Sequence, residues 1–209
     1  MKSRSLTVFA GYLLLSSALF LQDVWSHEAL SSDLPSLPSR SERIANYRID
    51  AELNAATKTV HATEILTWLN TSNIPVGDFY FHLYLNAYKN NRSTFMLERG
   101  ALPKEFKQSD GAPWGGCRVE QIRLLAGSGD VLQDLTPQMQ YVQPDDQNAD
   151  DQTVFRIAAN RPVLPGETAR FEIRFTSQLP RAMDRSGYTR DFFFVAQWFP
   201  KIGVFENGH

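Results

Sequence analysis

The sequence is poor in the residues that most often announce a chemistry. It holds one cysteine, Cys117, in 209 residues, so no internal disulfide can form and no cysteine-based zinc cluster can be built. Four histidines limit metal and acid–base chemistry before any motif is sought. Lys and Arg together number 21 and Asp and Glu 23, a formal net charge of -2. Without a basic excess nothing neutralises a phosphate backbone, and no nucleic-acid partner is expected. Beyond residue 26 no segment holds a long apolar repeat of period 3.6, which argues against a helical bundle. What remains is 43% hydrophobic and 21% charged, ordinary globular composition with enough chain for a core.

The start of the chain has the three-part layout of an export signal. Lys2 and Arg4 precede an uncharged apolar run from Leu6 to Leu21, and Val24 and Ser26 fit the small-residue rule of a cleavage site. A membrane-spanning helix needs about 20 apolar residues, and Asp23 interrupts this run. The expectation is a signal peptide helix over 1–26, cut after Ser26, with no stable membrane anchor and an exported product, periplasmic or secreted. Residues 27–43, rich in Ser and Pro, read as a flexible lead-in.

From Ile44 to the last residue the pattern is that of strands. Tyr47–Leu53 alternates with period two. Thr59–Leu69 alternates through Val60, Ala62, Ile65, Thr67 and Leu69, with a slip near Glu64 that reads as a bulge. Phe79, Phe81, Leu83 and Leu85 alternate with Tyr80, His82 and Tyr84. Cys117–Leu125, Thr153–Ala158, Ala169–Phe175 and Phe192–Val195 complete the set. Turn residues separate them at Asn54–Thr57, Gly127–Asp130 and Leu164–Glu167. A short helix is expected near Ser93–Glu98. Seven or more short alternating strands imply an all-β domain over 44–209, an antiparallel sandwich or saddle of packed sheets.

Catalytic motifs are absent. His27-Glu-Ala-Leu-Ser31 has Ser where a zinc helix needs its second His. His61 and His82 fall on strands and read as structural. Asp145-Asp146 and Asp150-Asp151 lack the alternation and the Gly of a calcium loop and read as a solvated surface loop. The triplets Asn70-Thr-Ser72 and Asn91-Arg-Ser93 match a glycosylation acceptor, a pattern that often arises by chance.

Three segments, in order, carry a resemblance. Tyr47-Arg-Ile-Asp-Ala-Glu-Leu53 followed by Val60-His-Ala-Thr-Glu-Ile-Leu-Thr-Trp-Leu-Asn70, then Phe81-His-Leu-Tyr-Leu-Asn-Ala-Tyr88, then Phe194-Val-Ala-Gln-Trp-Phe-Pro-Lys-Ile-Gly-Val-Phe-Glu206 resemble the N-terminal domain of aminopeptidase N type zinc metallopeptidases (peptidase family M1, gluzincins). The resemblance implies a β-rich accessory domain of an exported aminopeptidase that shapes the cleft for peptide N-terminal hydrolysis. The His-Glu-x-x-His zinc site belongs to a following catalytic domain, absent from these 209 residues. This chain would then carry no catalytic residue, metal ligand or cofactor of its own. It would be a fragment whose partners are that catalytic domain and, through it, a peptide substrate. The resemblance also implies that Trp198, Phe199 and Pro200 meet the catalytic domain and that Gln197 contacts the substrate's amino group; the alternative is that Gln197 is a surface or interdomain polar residue and Trp198 a packing anchor. The other reading is a stand-alone exported β-sandwich that binds carbohydrate or protein.

Overall fold

The computed structural model describes residues 43–100, 114–181 and 184–205. The expected signal peptide and nearly all of the lead-in lie outside the described residues. The chain runs β1 (Ala45–Asn54), β2 (Thr59–Leu69), β3 (Val76–His82), a 3-10 turn over Tyr84–Tyr88 and α1 (Thr94–Arg99). It continues through β4 (Gly116–Leu125), β5 (Val131–Asp134), β6 (Gln140–Tyr141), β7 (Val154–Val163) and β8 (Thr168–Gln178), and ends in β9 (Gly187–Thr189), β10 (Phe192–Phe194) and β11 (Lys201–Ile202). A five-stranded sheet has the order β1-β2-β8-β4-β5, and a four-stranded sheet the order β11-β3-β7-β6. Strands β9 and β10 form a separate two-stranded ribbon. All the sheet pairings are antiparallel, so the fold is the expected all-β sandwich.

Period-two alternation builds its interior. Leu66 and Trp68 of β2, Phe171, Ile173 and Phe175 of β8 and Ile122 of β4 are buried on one sheet. Phe79 and Phe81 of β3 and Phe155 and Ile157 of β7 are buried on the other. Aromatic rings join the layers: Phe79 and Phe81 meet Phe171 edge-on at 5.0 and 5.8 Å, and Trp68 meets Phe79 at 5.4 Å. Each such pair adds about 0.5–1.5 kcal/mol beyond the area it buries.

The turns follow their residues. Asn54 Oδ1 accepts from the amides of Ala56 and Thr57 at 3.0 and 3.1 Å. In Leu164-Pro-Gly-Glu167 the amide of Glu167 donates to the Leu164 carbonyl, and Gly166 supplies the positive φ of 78° that a type II turn needs. Ser93 caps α1 through Met96 N, and the acidic loop holds the same end. Asp151 Oδ2 accepts from Thr94 N at 3.2 Å and Asp150 pairs with Arg92 at 3.1 Å. Asn70 is fully buried and donates to the carbonyls of Ile74 and Val163, both at 2.9 Å. Its amide is a strut of the fold and is closed to a glycan.

Two sequence expectations need correction. There is no bulge near Glu64: β2 pairs in unbroken register with β1 and β8. Val60, Ala62, Glu64, Leu66 and Trp68 share the inner face, and Glu64 is 0% exposed with neither carboxylate oxygen hydrogen-bonded. The strand expected over Phe79–Leu85 stops at His82, where the 3-10 turn lets Leu83 and Leu85 both face the core.

Candidate ligand-binding site

On β3 the alternation that buries Phe79 and Phe81 turns Tyr80 and His82 to the outer face of the four-stranded sheet. Tyr80 is 46% exposed and lies opposite Arg156 of β7, which pairs with Asp78. Just past the strand, Tyr84 comes back alongside His82. Their rings stack at 5.2 Å between centroids and 16° between planes. Burial holds the His82 imidazole below its ordinary range, opposed by Asp145, so it is a neutral ring at pH 7. Lys201, opposite His82 in the β11–β3 pair, places its ammonium 5.7 Å from the Tyr84 ring and 5.2 Å from Phe199.

Tyr84 also forms the lip of a pocket of about 230 Å³. Leu85, Tyr88 and Phe95 make its apolar side, and Asp184, Arg185 and Gln197 its polar side. Burial, and then the charge of Asp184, push the Tyr88 phenol up, so it stays a hydrogen-bond donor. Asp184 and Gln197 both hold positive φ, 55° and 51°. Such backbone costs of order 1–3 kcal/mol per residue and recurs at ligand sites. Buried Ser186 pins the two segments together: its hydroxyl donates to Ala196 O at 3.1 Å and accepts from Ala196 N at 3.2 Å. The result is a row of rings, Tyr80, His82 and Tyr84, that leads into a half-open pocket lined by donors and acceptors.

Of the residues singled out from sequence, Gln197 lies in this pocket. Trp198, Phe199 and Pro200 turn back onto their own domain. Trp198 packs on Phe175 at 5.7 Å, Phe199 meets Tyr47 edge-on at 5.4 Å, and Pro200 is buried. His61 projects from the outer face of the five-stranded sheet, where Nδ1 lies 2.9 Å from Thr176 Oγ1. The whole sandwich separates it from His82. Among the described residues no three His, Cys, Asp or Glu side chains converge as a metal site would need. No helix among them is long and apolar enough to cross a membrane. Reading the alternation placed Tyr80, His82 and Tyr84 outward, but nothing local in the sequence showed that residues 184–186 would close over Tyr84.

No protein-family model matches the chain, and no curated protein does. Solved structures similar to it include the CBM3a-L domain of the scaffoldin of the Clostridium thermocellum cellulosome, at 12% identity over 74% of this chain and 81% of that one, TM-score 0.32. A family IIIA CBD from Clostridium cellulolyticum is 12% identical over 74% and 87%, TM-score 0.29. A family 3a carbohydrate binding module from the Clostridium thermocellum scaffolding is 14% identical over 78% and 97%, TM-score 0.29. Scores this low transfer neither a fold nor a ligand. The neighbours are nevertheless carbohydrate-binding modules and not peptidase domains. None of these matches is to a peptidase domain, so the expected role as an aminopeptidase accessory domain is withdrawn, and with it the hydrolase and zinc assignment and the catalytic-domain and peptide partners.

Proposed function

We propose that this chain is an exported β-sandwich binding module, periplasmic or secreted, whose ligand is a carbohydrate. The observation that carries the reading is the outward row of rings Tyr80, His82 and Tyr84, the most open of them Tyr80 at 46% exposed, with Tyr84 bordering a pocket that contains Gln197, Asp184 and Arg185. A sugar offers an apolar C–H face and a rim of hydroxyls that both donate and accept. The negative faces of aromatic rings suit the first. The second needs mixed polar groups, and here Gln197 supplies both an amide N–H and a carbonyl, Asp184 only accepts and Arg185 only donates. A concave, largely preformed site with few polar groups is the usual form of such a pocket.

The test is retention on insoluble polysaccharides together with calorimetric titration against soluble oligosaccharides of several linkages. Binding to at least one class is expected. Tyr84→Ala should weaken it at least about tenfold, a loss of about 1.4 kcal/mol, with an unchanged unfolding transition. Absence of binding to every polysaccharide, or full binding by Tyr84→Ala, would remove the proposal.

A further inference from the structure

A second surface stands apart from that pocket, at the free edge of β1. This strand is ten residues long, yet among the described residues it pairs only with β2. A long unpaired edge is a template for another strand unless something blunts it. The hydrogen-bond parity shows which residues offer their backbone there. Leu69 N donates to Ile44 O at 2.9 Å. In an antiparallel ladder bonded pairs alternate, so the even-numbered residues of β1 bond to β2. Ala45, Tyr47, Ile49, Ala51 and Leu53 therefore turn their N–H and C=O groups outward.

We infer that β1 pairs with β1 of a second copy of this chain, antiparallel, with Ile49 on the two-fold axis, to join two five-stranded sheets into one. Charge selects this register. Centred on Ile49, Arg48 of each copy stands opposite Asp50 of the other, so two opposite-charge pairs form. Centred on Asp50, two aspartates would oppose each other, and centred on Arg48, two arginines would. These side chains are about 80% exposed and, among the described residues, pair with each other at 3.9 Å.

An independent apolar match falls in the same register. Leu53 lies opposite Ala45 of the other copy. Leu53 is 43% exposed although it is on the inner face, and Ile44 is 42% exposed. Ala45 and Ile44 line an apolar depression of about 150 Å³ with Tyr47, Trp68 and Phe205. Each Leu53 thus reaches the depression of its partner, and by symmetry the contact is made twice. The exposed end of β1 and the open depression beside its start are explained by one contact.

Sedimentation velocity of the exported protein over a range of concentrations is the test. A reversible monomer–dimer equilibrium is expected. Ile49→Pro should give a monomer that keeps its fold, because it deletes an N–H that faces away from β2, and proline is tolerated on an edge strand. Arg48→Asp and Asp50→Arg should each weaken the dimer about tenfold by placing like charges opposite one another twice. The double variant Arg48→Asp/Asp50→Arg should regain the wild-type dissociation constant. A monomer at every concentration, a dimer that survives Ile49→Pro, or a double variant no tighter than the single ones would each overturn the inference.

Discussion

Strands β2 and β3 obey the same alternation in opposite sheets and put it to opposite uses. The inner face of β3 is aromatic, with Phe79 and Phe81 buried, and its outer face is aromatic too, with Tyr80 and His82. The inner face of β2 carries a carboxyl, Glu64, between Ala62 and Leu66, and its outer face carries His61, Thr63 and Thr67. One strand has more apolar surface than the core can take, and the other has less. The surplus on β3 leaves aromatic rings on the outer face. The deficit on β2 leaves a buried acid with no partner, which weakens the fold and aids nothing visible around it. Period-two patterning states which residues share a face. It does not state whether the residue on that face suits it.

Glu64 carries the largest expected effect. Burial alone pushes its carboxyl from 4.5 to about 8, so the folded protein keeps it protonated at neutral pH. Below pH 4.5 folded and unfolded chains both hold the proton, and the group costs nothing by ionisation. Between there and pH 8 the unfolded chain releases it and the folded chain does not, so stability falls as pH rises. At about 1.36 kcal/mol per pH unit the loss reaches roughly 5 kcal/mol by pH 8 and then levels. That is a large part of a typical stability of about 5–15 kcal/mol. Glu64→Gln abolishes this titration while keeping the shape. In urea titrations from pH 4.5 to 9 the variant should gain on the wild type steadily until pH 8. A constant difference across that range would show that Glu64 is ionised or solvated in the fold.

A pair on β3 sharpens the contrast between faces. Phe81→Ala removes a ring that stacks on Phe155 at 5.0 Å and is 0% exposed. It should cost about 3–5 kcal/mol of unfolding free energy. Its neighbour Tyr80→Ala, on the outer face, should stay within about 0.5 kcal/mol and show its effect in carbohydrate retention. Equal destabilisation by both would mean that the outer row is part of the core.

The same contrast explains what could be read ahead of the structure. Strands β1 and β8 are legible because one face of each is apolar at period two, whereas β4 keeps that period only to Val119, before a register shift, and the sandwich follows from the number of strands and their turns. The reading failed where chemistry and position disagree. The break in apolar alternation at Glu64 reads as a bulge with Ile65 and Thr67 in phase with the core, but the strand keeps its register, buries Glu64 and leaves Ile65 and Thr67 on the outer face. Leu83 and Leu85 are buried as the alternation implies, but they lie beyond β3, where the chain passes into a 3-10 turn. The site was less legible than the fold. Its row of rings lies on one strand and is visible as an alternation, whereas its polar wall comes from residues about 100 positions later. Gln197 was singled out through a family resemblance whose functional consequence is overturned, and its place in the pocket rests on geometry alone.

Gln197 gives the smallest effect and the cleanest separation of strain from recognition. Its φ of 51° is the left-handed region, which costs an ordinary side chain about 1–2 kcal/mol and glycine almost nothing. Gln197→Ala removes the amide but keeps the strain. Gln197→Gly removes both, at the expense of about 0.4–1 kcal/mol of extra unfolded-chain entropy. The glycine variant should therefore be more stable than the alanine variant by a few tenths to about 1 kcal/mol in the same denaturation assay. If the amide contacts the ligand, both variants lose carbohydrate affinity by the same factor, because neither retains a donor or an acceptor there. Strain that positions Ser186 and the pocket wall gives another pattern, in which the glycine variant binds more weakly than the alanine variant. Two variants equal in stability would show that the fold holds this φ without strain, and Gln197 would then owe its conformation to the bonds that Ser186 makes around it.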